Sequence, residues 1–353
     1  MKKGVSVLAL CMVLSIGMSL TACSSNRQPT AQATEPAATQ ANETEAKKAS
    51  KVAFSIWTME YDFFQLIAKG AQAAGVDAGV EVVIHDEKSD QTEQVSGCQN
   101  LLNQGIDALC VTPFAPDAMP PIVEQAHQMG IPVVICDIGT GGSNHDGFMY
   151  SDCFGGGKMN GEFAVKEFEK RGLTSKTYAL LRSPAEAEVS QMRNNGAAEV
   201  LNAAGFTNVA NIHTNDTTEV GYSTMQDVLA ANPDVSIVIC GNDSTAAGAG
   251  QACFDAGKKD VIVTGFDASD QGIEGLRNNT IASTIQQFPY DMGYNSVMFS
   301  LDLANGKAVT YDNPAKKELY VDVALVTKND VPDSLSDHII SITGLTRRDI
   351  GMD

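Results

Sequence analysis

Short β-branched runs alternate with amphipathic helical stretches at least eight times between residues 51 and 327. The strand-like runs lie at 52–56, 82–85, 108–111, 132–136, 178–181, 209–213, 236–240, 261–265, 281–285 and 319–326. The helical stretches, whose apolar residues recur three and four positions apart, lie at 63–78, 90–103, 118–129, 154–171, 189–203, 222–230, 244–256 and 290–304. Near-continuous apolar strands joined by helices indicate parallel sheets covered by helices on both faces.

The pattern restarts at residue 154 with no long disordered break, which predicts an α/β fold of two doubly wound parallel-sheet lobes. The late strand at 319–326 predicts that the chain passes between the lobes a third time, which gives a three-stranded hinge. We expect passages near Ser151-Asp152, near 287–289 and between about 311 and 322. The predicted divisions are 51–151 with 288–311 for the first lobe, 152–287 with 312–327 for the second, and a tail at 328–353 that the pattern does not assign.

The N-terminus begins with two lysines and an apolar run that ends in Leu20-Thr21-Ala22-Cys23. These four residues resemble the lipobox of bacterial lipoproteins, in which the cysteine receives a diacylglycerol. The resemblance implies a signal peptide at 1–22 and a mature chain anchored outside the cell membrane by acyl chains, palmitate among them, on Cys23. A membrane-spanning helix is the alternative, but the run is shorter than the ~20 residues that a bilayer requires.

Residues 23–50 contain proline, alanine, threonine and glutamine and no aromatic residue. Such a segment buries too little apolar surface to offset its ordering entropy. We therefore predict a disordered tether between the anchor and the folded body.

The chain is acidic, with 43 Asp and Glu against 24 Lys and Arg and a net charge of −19. A surface of this charge repels phosphate backbones, so nucleic acid is not an expected partner.

Six cysteines remain once Cys11 and Cys23 are set aside, and none forms a C-x-x-C pair. Cys110, Cys136 and Cys240 lie in apolar runs of strand type. Buried, inert thiols are favoured over a disulfide framework, which the extracytoplasmic location leaves open.

Ligands of open parallel sheets bind beyond the carboxyl ends of the strands. The residues at these positions are Tyr61-Asp62-Phe63-Phe64, Thr112-Pro113, Asp137-Ile138, Asn242-Asp243, Phe266-Asp267 and Gln287. Carboxylates accept hydrogen bonds from neighbouring hydroxyls, amides donate and accept, and aromatic faces cover the C–H faces of a sugar ring. This set suits a small polyhydroxylated ligand.

Several segments resemble the periplasmic ribose-type binding proteins, in the same order and spacing from about residue 51 to 327. They are Tyr61-Asp62-Phe63-Phe64 with Lys69-Gly70-Ala71, Ile131-Pro132-Val133 with Asp137, Cys240-Gly241-Asn242-Asp243 with Ala246-Ala247-Gly248-Ala249, Val263-Thr264-Gly265-Phe266-Asp267, and Thr284-Ile285-Gln286-Gln287-Phe288-Pro289. Singly these matches are weak, but together they indicate a type I sugar-binding protein of an ABC importer.

The resemblance implies ligand contacts at Phe63, Phe64, Asp137, Arg193, Asn242, Asp267 and Gln287. Tyr61, Asp216 and Phe266 complete the candidate site. Other roles compete: Phe64 and Phe266 also suit a core, and Asp62 suits a helix N-cap. Arg193 could instead pair with Glu188 or Glu199 on a helix surface.

The chain departs from the ribose pattern at four positions. Ile138 replaces an arginine, Asp216 stands where an aromatic residue is usual, and Tyr61 and Thr112 occupy positions usually held by asparagine. One cationic donor is lost and one carboxylate gained, so the expected ligand is a sugar or polyol other than ribose. Ile138 suits a deoxy or methyl group, and Asp216 suits an extra hydroxyl or an amine.

Other motifs carry little weight. Gly155-Gly156-Gly157-Lys158 looks like a phosphate loop, but Met159 stands where magnesium would require Ser or Thr. The five histidines are scattered, without metal-ligand spacing. We therefore predict no cofactor, no metal and no catalytic residue.

The resemblance thus implies a monomeric, non-enzymatic protein that closes on a sugar and delivers it to the transmembrane subunits of an ABC permease. A receptor component that senses a sugar or a furanosyl signal is the main alternative. A repressor effector domain of the same fold would need a helix-turn-helix in place of the signal peptide. An enzyme on two such lobes is the third alternative, because fold alone does not define function.

Overall fold

The computed structural model describes residues 48–185 and 187–352, which contain two six-stranded sheets. The strands are Lys51–Ile56 (β1), Glu81–Asp86 (β2), Ala108–Thr112 (β3), Val133–Cys136 (β4), Gly147–Ser151 (β5), Thr177–Arg182 (β6), Thr207–His213 (β7), Ile237–Cys240 (β8), Ile262–Thr264 (β9), Ser283–Gln286 (β10), Glu318–Val321 (β11) and Ala324–Thr327 (β12). The first sheet has the order β11-β5-β4-β3-β1-β2 and the second β12-β10-β9-β8-β6-β7. Pairing is parallel apart from β12, which runs antiparallel to β10.

Helices cover both faces of each sheet. They are Asp62–Ala78 (α1), Gln91–Leu102 (α2), Met119–Gln128 (α3), Cys153–Lys170 (α4), Glu188–Ala203 (α5), Thr218–Ala231 (α6), Asp243–Asp255 (α7), Asp270–Asn278 (α8) and Pro289–Ala304 (α9). On the first sheet, α1 and α9 bury one face and α2 and α3 the other. On the second, α4 and α5 cover one face and α6, α7 and α8 the other. The predicted α/β fold of two doubly wound lobes is confirmed.

The chain passes between the two sheets three times. Strand β5 is followed by α4 of the second lobe, β10 by α9 of the first, and β11 by β12. Cys153, Ile285 and Val323, one from each passage, are buried together with Phe266 in one apolar cluster. This hinge cluster lies where the three passages meet.

One predicted boundary needs correction. Residues 312–327 were expected in the second lobe, but β11 pairs with β5 in the first sheet, and the chain changes sheet only at 322–323. The apolar run at 319–326 therefore forms two strands in different sheets. A continuous apolar run predicts a buried strand but not the sheet that buries it.

Two elements lack a sequence prediction. Strand β5 is fully buried and only five residues long, and α8 is a nine-residue helix with two glycines. Short elements give too few residues for a period to show. The Ser269 hydroxyl caps α8 by accepting from the Gly272 amide.

The C-terminal tail, residues 328–352, contacts both lobes. Arg277 of α8 donates to the Pro332 carbonyl at 2.8 Å, whereas Asp291 of α9 accepts from the Ser341 hydroxyl at 2.8 Å. Near the end of the tail, Arg347 pairs with Asp62 of α1 at 2.9 Å. The tail is thus an ordered strap that spans the two lobes.

The predicted signal peptide, Cys23 and the tether up to residue 47 lie outside the described residues. The last predicted tether residues, 48–50, belong to the folded body instead: Ala49 is buried, and the Ser50 amide donates to Asp107 at 2.7 Å. In the described part of the chain, every helix is too short or too polar to cross a membrane.

Candidate binding site between the lobes

Three aspartates follow strands at the carboxyl edges of the sheets. Asp137 follows β4 with φ of 66°, Asp216 lies after β7 with φ of 61°, and Asp267 lies after β9 with φ of 108°. Aspartate tolerates the left-handed region better than most residues, although 108° falls outside its usual range. Strained backbone of this kind costs about 1–3 kcal/mol and is characteristic of ligand sites.

Arg193 of α5 is the cation that organises the site. Its Nη1 lies 3.0 Å from Asp267 Oδ1 and donates to the Gly241 carbonyl at 3.0 Å. The guanidinium carbon lies 4.2 Å from the centroid of the Phe266 ring. The side chain is only 11% exposed, so the ion pair and the ring hold the guanidinium in one orientation.

Gln287, which follows β10, completes this arrangement. Its Nε2 donates to Asp267 Oδ1 at 2.7 Å. The Asp267 side chain is 33% exposed, so the carboxylate still faces the space beyond the sheet. Burial raises the pKa of Asp267, while Arg193 and Gln287 oppose that rise.

Asp137 brings the first lobe into the same electrostatic site. Burial raises its pKa to about 7, the Arg193 charge opposes the rise and the Asp267 charge adds to it. Burial also raises the pKa of Asp216, against the influence of Ser183 and Arg193. Charges on the two lobes therefore act on one another across the site.

Helix α5 contacts both lobes. Its Val189 and Met192 pack against the hinge cluster and also against the first-lobe core cluster that contains Ile122 and Phe148. Arg193 is the next residue along this helix, which explains how a second-lobe side chain comes to lie beside Asp137.

Some buried polar atoms of this group lack a hydrogen-bond partner. Among the described residues, Arg193 Nε, Asp216 Oδ1 and Gln287 Oε1 are buried and make no hydrogen bond. Such atoms are costly unless something satisfies them. Because these atoms belong to the group of interacting charged side chains at the strand ends, they indicate a place for a polar ligand.

Asn242 has a structural role at the edge of this group. Its side-chain oxygen caps α7 by accepting from the Thr245 amide at 2.9 Å, and its Nδ2 donates to the Asp216 carbonyl at 3.4 Å. It thus ties the Asp216 turn to α7.

The predicted aromatic residues lie at the carboxyl edge of the first sheet. Phe63 and Phe64 meet edge to face with centroids 5.5 Å apart, and Trp57 lies 5.2 Å from Phe64. Phe64 is buried in the first-lobe core, whereas Tyr61 is 58% exposed at the start of α1. No contact between these rings and Arg193 is seen in the described residues.

Sequence reasoning missed Trp57. This residue directly follows β1, is the one tryptophan of the chain, and packs against Phe114 with centroids 5.8 Å apart. Its position immediately after a buried strand is the signal that could have identified it.

Two alternative roles are now decided. Arg193 pairs with Asp267, and Glu199 pairs instead with Lys158 at 2.7 Å. Asp62 was predicted as an N-cap, which is wrong: Tyr61 occupies the cap position without a side-chain cap, and Asp62 pairs with Arg347.

The glycine run at 155–157 lies inside α4 and forms no phosphate loop. A Cβ on Gly157 would lie 2.0 Å from the Arg193 carbonyl oxygen, and one on Gly156 would lie 2.9 Å from the Phe266 ring. These glycines let α4 approach α5 and the hinge cluster closely.

The six described cysteines are buried free thiols, which confirms the prediction of core thiols. Cys153 lies beside Arg193. Burial raises the pKa of the Cys153 thiol to about 11, and the Arg193 charge opposes that rise. Across the described ranges, no group of three or more metal-ligating side chains is found.

Comparison with known proteins agrees with this fold. The periplasmic binding protein domain model matches residues 52–308, so the chain belongs to that family, as a ribose-type member of the type I sugar-binding proteins. The ribose import binding protein of Bacillus subtilis is 29% identical over 328 residues, covering 90% of this chain and 99% of that protein. The D-allose-binding periplasmic protein of Escherichia coli is 25% identical over 297 residues, covering 81% and 94%.

A solved structure shows the same fold. The periplasmic ribose ABC transporter protein of Conexibacter woesei superposes with a TM-score of 0.73 at 21% identity, covering 80% of this chain and 94% of that one.

Proposed function

We propose that this protein is a lipid-anchored, extracytoplasmic solute-binding protein that captures a monosaccharide or related polyol between its lobes. The proposal depends mainly on one observation: Arg193, Asp216 and Gln287 each have a buried polar atom without a hydrogen bond, and they belong to one group of interacting side chains with Asp137 and Asp267. A polyhydroxylated ligand supplies both donors and acceptors to such a group.

The two lobes have complementary roles in this proposal. Asp137 of the first lobe and Asp267 of the second accept hydroxyl hydrogens, while Arg193 donates. Trp57 and Phe63 cover a C–H face of the ring. A ligand held by both lobes favours the closed form, because only that form makes both sets of contacts.

Delivery to an ABC permease is supported by relatives that are named as an import binding protein and a ribose ABC transporter protein. We infer a binding role without catalysis, which is supported by the relatives that are named as binding proteins. The relatives are named for different sugars, so their names do not identify the ligand of this chain, which requires an experiment.

Thermal-shift screening tests binding. The purified residues 48–353 are mixed with pentoses, hexoses, deoxysugars, polyols and amino sugars. A ligand at 100 times its Kd stabilises the fold by about 2.7 kcal/mol, which gives a clear shift. If no compound shifts the unfolding midpoint, the proposed ligand class is wrong.

The Cys23→Ala variant tests the anchor. We expect the full-length variant to leave the membrane fraction in detergent phase partitioning while it still binds the sugar. Continued partitioning with membranes would contradict lipidation at Cys23 and leave the sugar-binding proposal untouched.

A further inference from the structure

The site holds more negative than positive charge. Asp137 and Asp216 each interact electrostatically with Asp267 and with Arg193, the one cation named among the charged neighbours of these three aspartates in the described residues. The Cys153 thiol, which also neighbours this group, is protonated because burial raises its pKa to about 11. Three carboxylates thus share one guanidinium.

That guanidinium is already committed. Arg193 forms its ion pair with Asp267 at 3.0 Å, and the same Nη1 donates to the Gly241 carbonyl. Asp267 also receives the Gln287 amide. One carboxylate of the three is therefore matched by a full positive charge.

Asp137 and Asp216 have no such partner. Neither forms an ion pair within 4.0 Å in the described ranges, and the Asp216 carboxylate has the neutral Ser183 hydroxyl beside it and one buried oxygen, Oδ1, without a hydrogen bond. Asn242 and the Thr214 hydroxyl contact the Asp216 backbone only. Burial raises the pKa of both carboxyl groups, so their ionised forms need a positive partner to be stable in this site.

We propose that the ligand is a sugar or polyol that carries a protonated amine, placed against the Asp216 carboxylate. This inference rests on the proposed function and narrows its ligand class. A hydroxyl supplies one donor and no charge, whereas an ammonium supplies three donors and the missing positive charge. Its hydrogen bonds to carboxylates are charge-assisted and therefore among the stronger ones.

Calorimetric titration with matched compounds tests the inference. The probes are D-glucose, D-glucosamine and N-acetyl-D-glucosamine, the corresponding galactose set, and myo-inositol with its monoamino derivative. We expect the amino member of at least one set to bind at least about tenfold more tightly than its neutral and N-acetylated counterparts, with one ligand per chain. We expect Asp216→Asn to reduce that preference at least about fivefold.

The surface control separates the site from general attraction by an acidic protein. Asp227 is exposed on α6, and Asp227→Asn removes the same charge far along that helix from the Asp216 turn. The amine preference should persist in this variant and at raised salt.

Each contrary result has a distinct meaning. If the neutral members bind as tightly as the amino members, the inference is overturned and the proposed function stands. If no member of any set binds, the inference is overturned, while the proposed function is decided by the wider screen of pentoses, deoxysugars and other polyols. A preference that survives Asp216→Asn overturns the assignment of the amine to that carboxylate.

Discussion

At the scale of single residues, the site depends on carboxylates that the fold keeps at a cost. Asp137 is held in the left-handed region by its position after β4, with its amide donating to the Met149 carbonyl at 2.8 Å. Asparagine adopts the same backbone conformation readily. Substitution of Asp137 by Asn therefore changes the charge with little change in geometry.

We expect Asp137→Asn to stabilise the ligand-free protein more at pH 8 than at pH 5. Burial raises the pKa of Asp137 to about 7, so the folded protein binds this proton more tightly than the unfolded chain. Proton binding by Asp137 therefore stabilises the folded protein. This stabilisation is present in full below the ordinary pKa of 3.8 and is lost as the pH rises through about 7. Above pH 7 the buried charge is present in full, and its removal should raise the free energy of unfolding by roughly 1 kcal/mol or more.

Urea denaturation at pH 5 and pH 8 measures this difference, with Asp227→Asn as the exposed control that should show no such change. A stabilisation by Asp137→Asn that is larger at pH 5 than at pH 8 would show that the buried charge of Asp137 does not destabilise the folded protein.

Asp267→Ala should weaken ligand binding about ten- to a hundredfold. The variant removes a charged acceptor, a contact of roughly 1.5–3 kcal/mol, and releases Arg193 from its 3.0 Å ion pair. Calorimetry with the ligand found by screening measures the change against Asp227→Ala. Unchanged affinity would place the ligand elsewhere.

At the scale of secondary structure, the close contact between α4 and α5 positions Arg193. Gly157 of α4 faces the Arg193 carbonyl, and Gly196 of α5 faces the Phe154 carbonyl, where a Cβ would lie 2.0 and 2.1 Å away. Each helix thus has a glycine at the point where the backbone of the other helix comes closest. The spacing of the two helices sets the height of the guanidinium above Phe266.

We expect Gly157→Ala to force α4 and α5 apart. Overpacking of this kind costs about 1–3 kcal/mol, and the movement of Arg193 should weaken ligand binding several-fold. Thermal unfolding and calorimetry test both effects, with Glu162→Ala on the exposed face of α4 as the control. Wild-type affinity in a destabilised Gly157→Ala would mean that this contact serves stability alone.

At the scale of the whole molecule, the C-terminal tail adds a fourth connection between lobes that three chain passages already join. The two oxygens of Asp291, which is buried in the first turn of α9, accept from the Ser341 hydroxyl at 2.8 Å and the Ile342 amide at 2.5 Å. The Lys69 ammonium donates to the Ile350 carbonyl at 2.8 Å. The tail is therefore attached to the first lobe along α9 and α1.

Asp291→Ala should detach this part of the tail. Two hydrogen bonds to a charged acceptor are lost, so the free energy of unfolding should fall by about 1–3 kcal/mol, and the amides of residues 338–350 should exchange faster. Hydrogen exchange with mass spectrometry measures this. The control is Asp302→Ala on the same helix, whose carboxylate pairs with Lys307 near the surface. Unchanged exchange in the tail would contradict the attachment through Asp291.

The alternation of apolar strands and amphipathic helices was sufficient to predict two doubly wound lobes. A strand that is buried on both faces of a sheet is apolar along most of its length, so it can be seen in the sequence. The strand-end positions of Asp137, Asp267 and Gln287 could likewise be predicted, since parallel strands present their carboxyl ends at one edge. Short elements such as β5 and α8 carried too weak a period.

The pairing of these residues required the tertiary structure. The local sequence does not show whether Arg193 pairs with a glutamate on its own helix or with Asp267, which lies 74 positions further along the chain. The division of the 319–326 run between two sheets, the packing role of Gly157 and the course of the tail depend likewise on long-range contacts. Periodicity records whether a residue is buried, whereas its neighbours are set by how distant segments pack together.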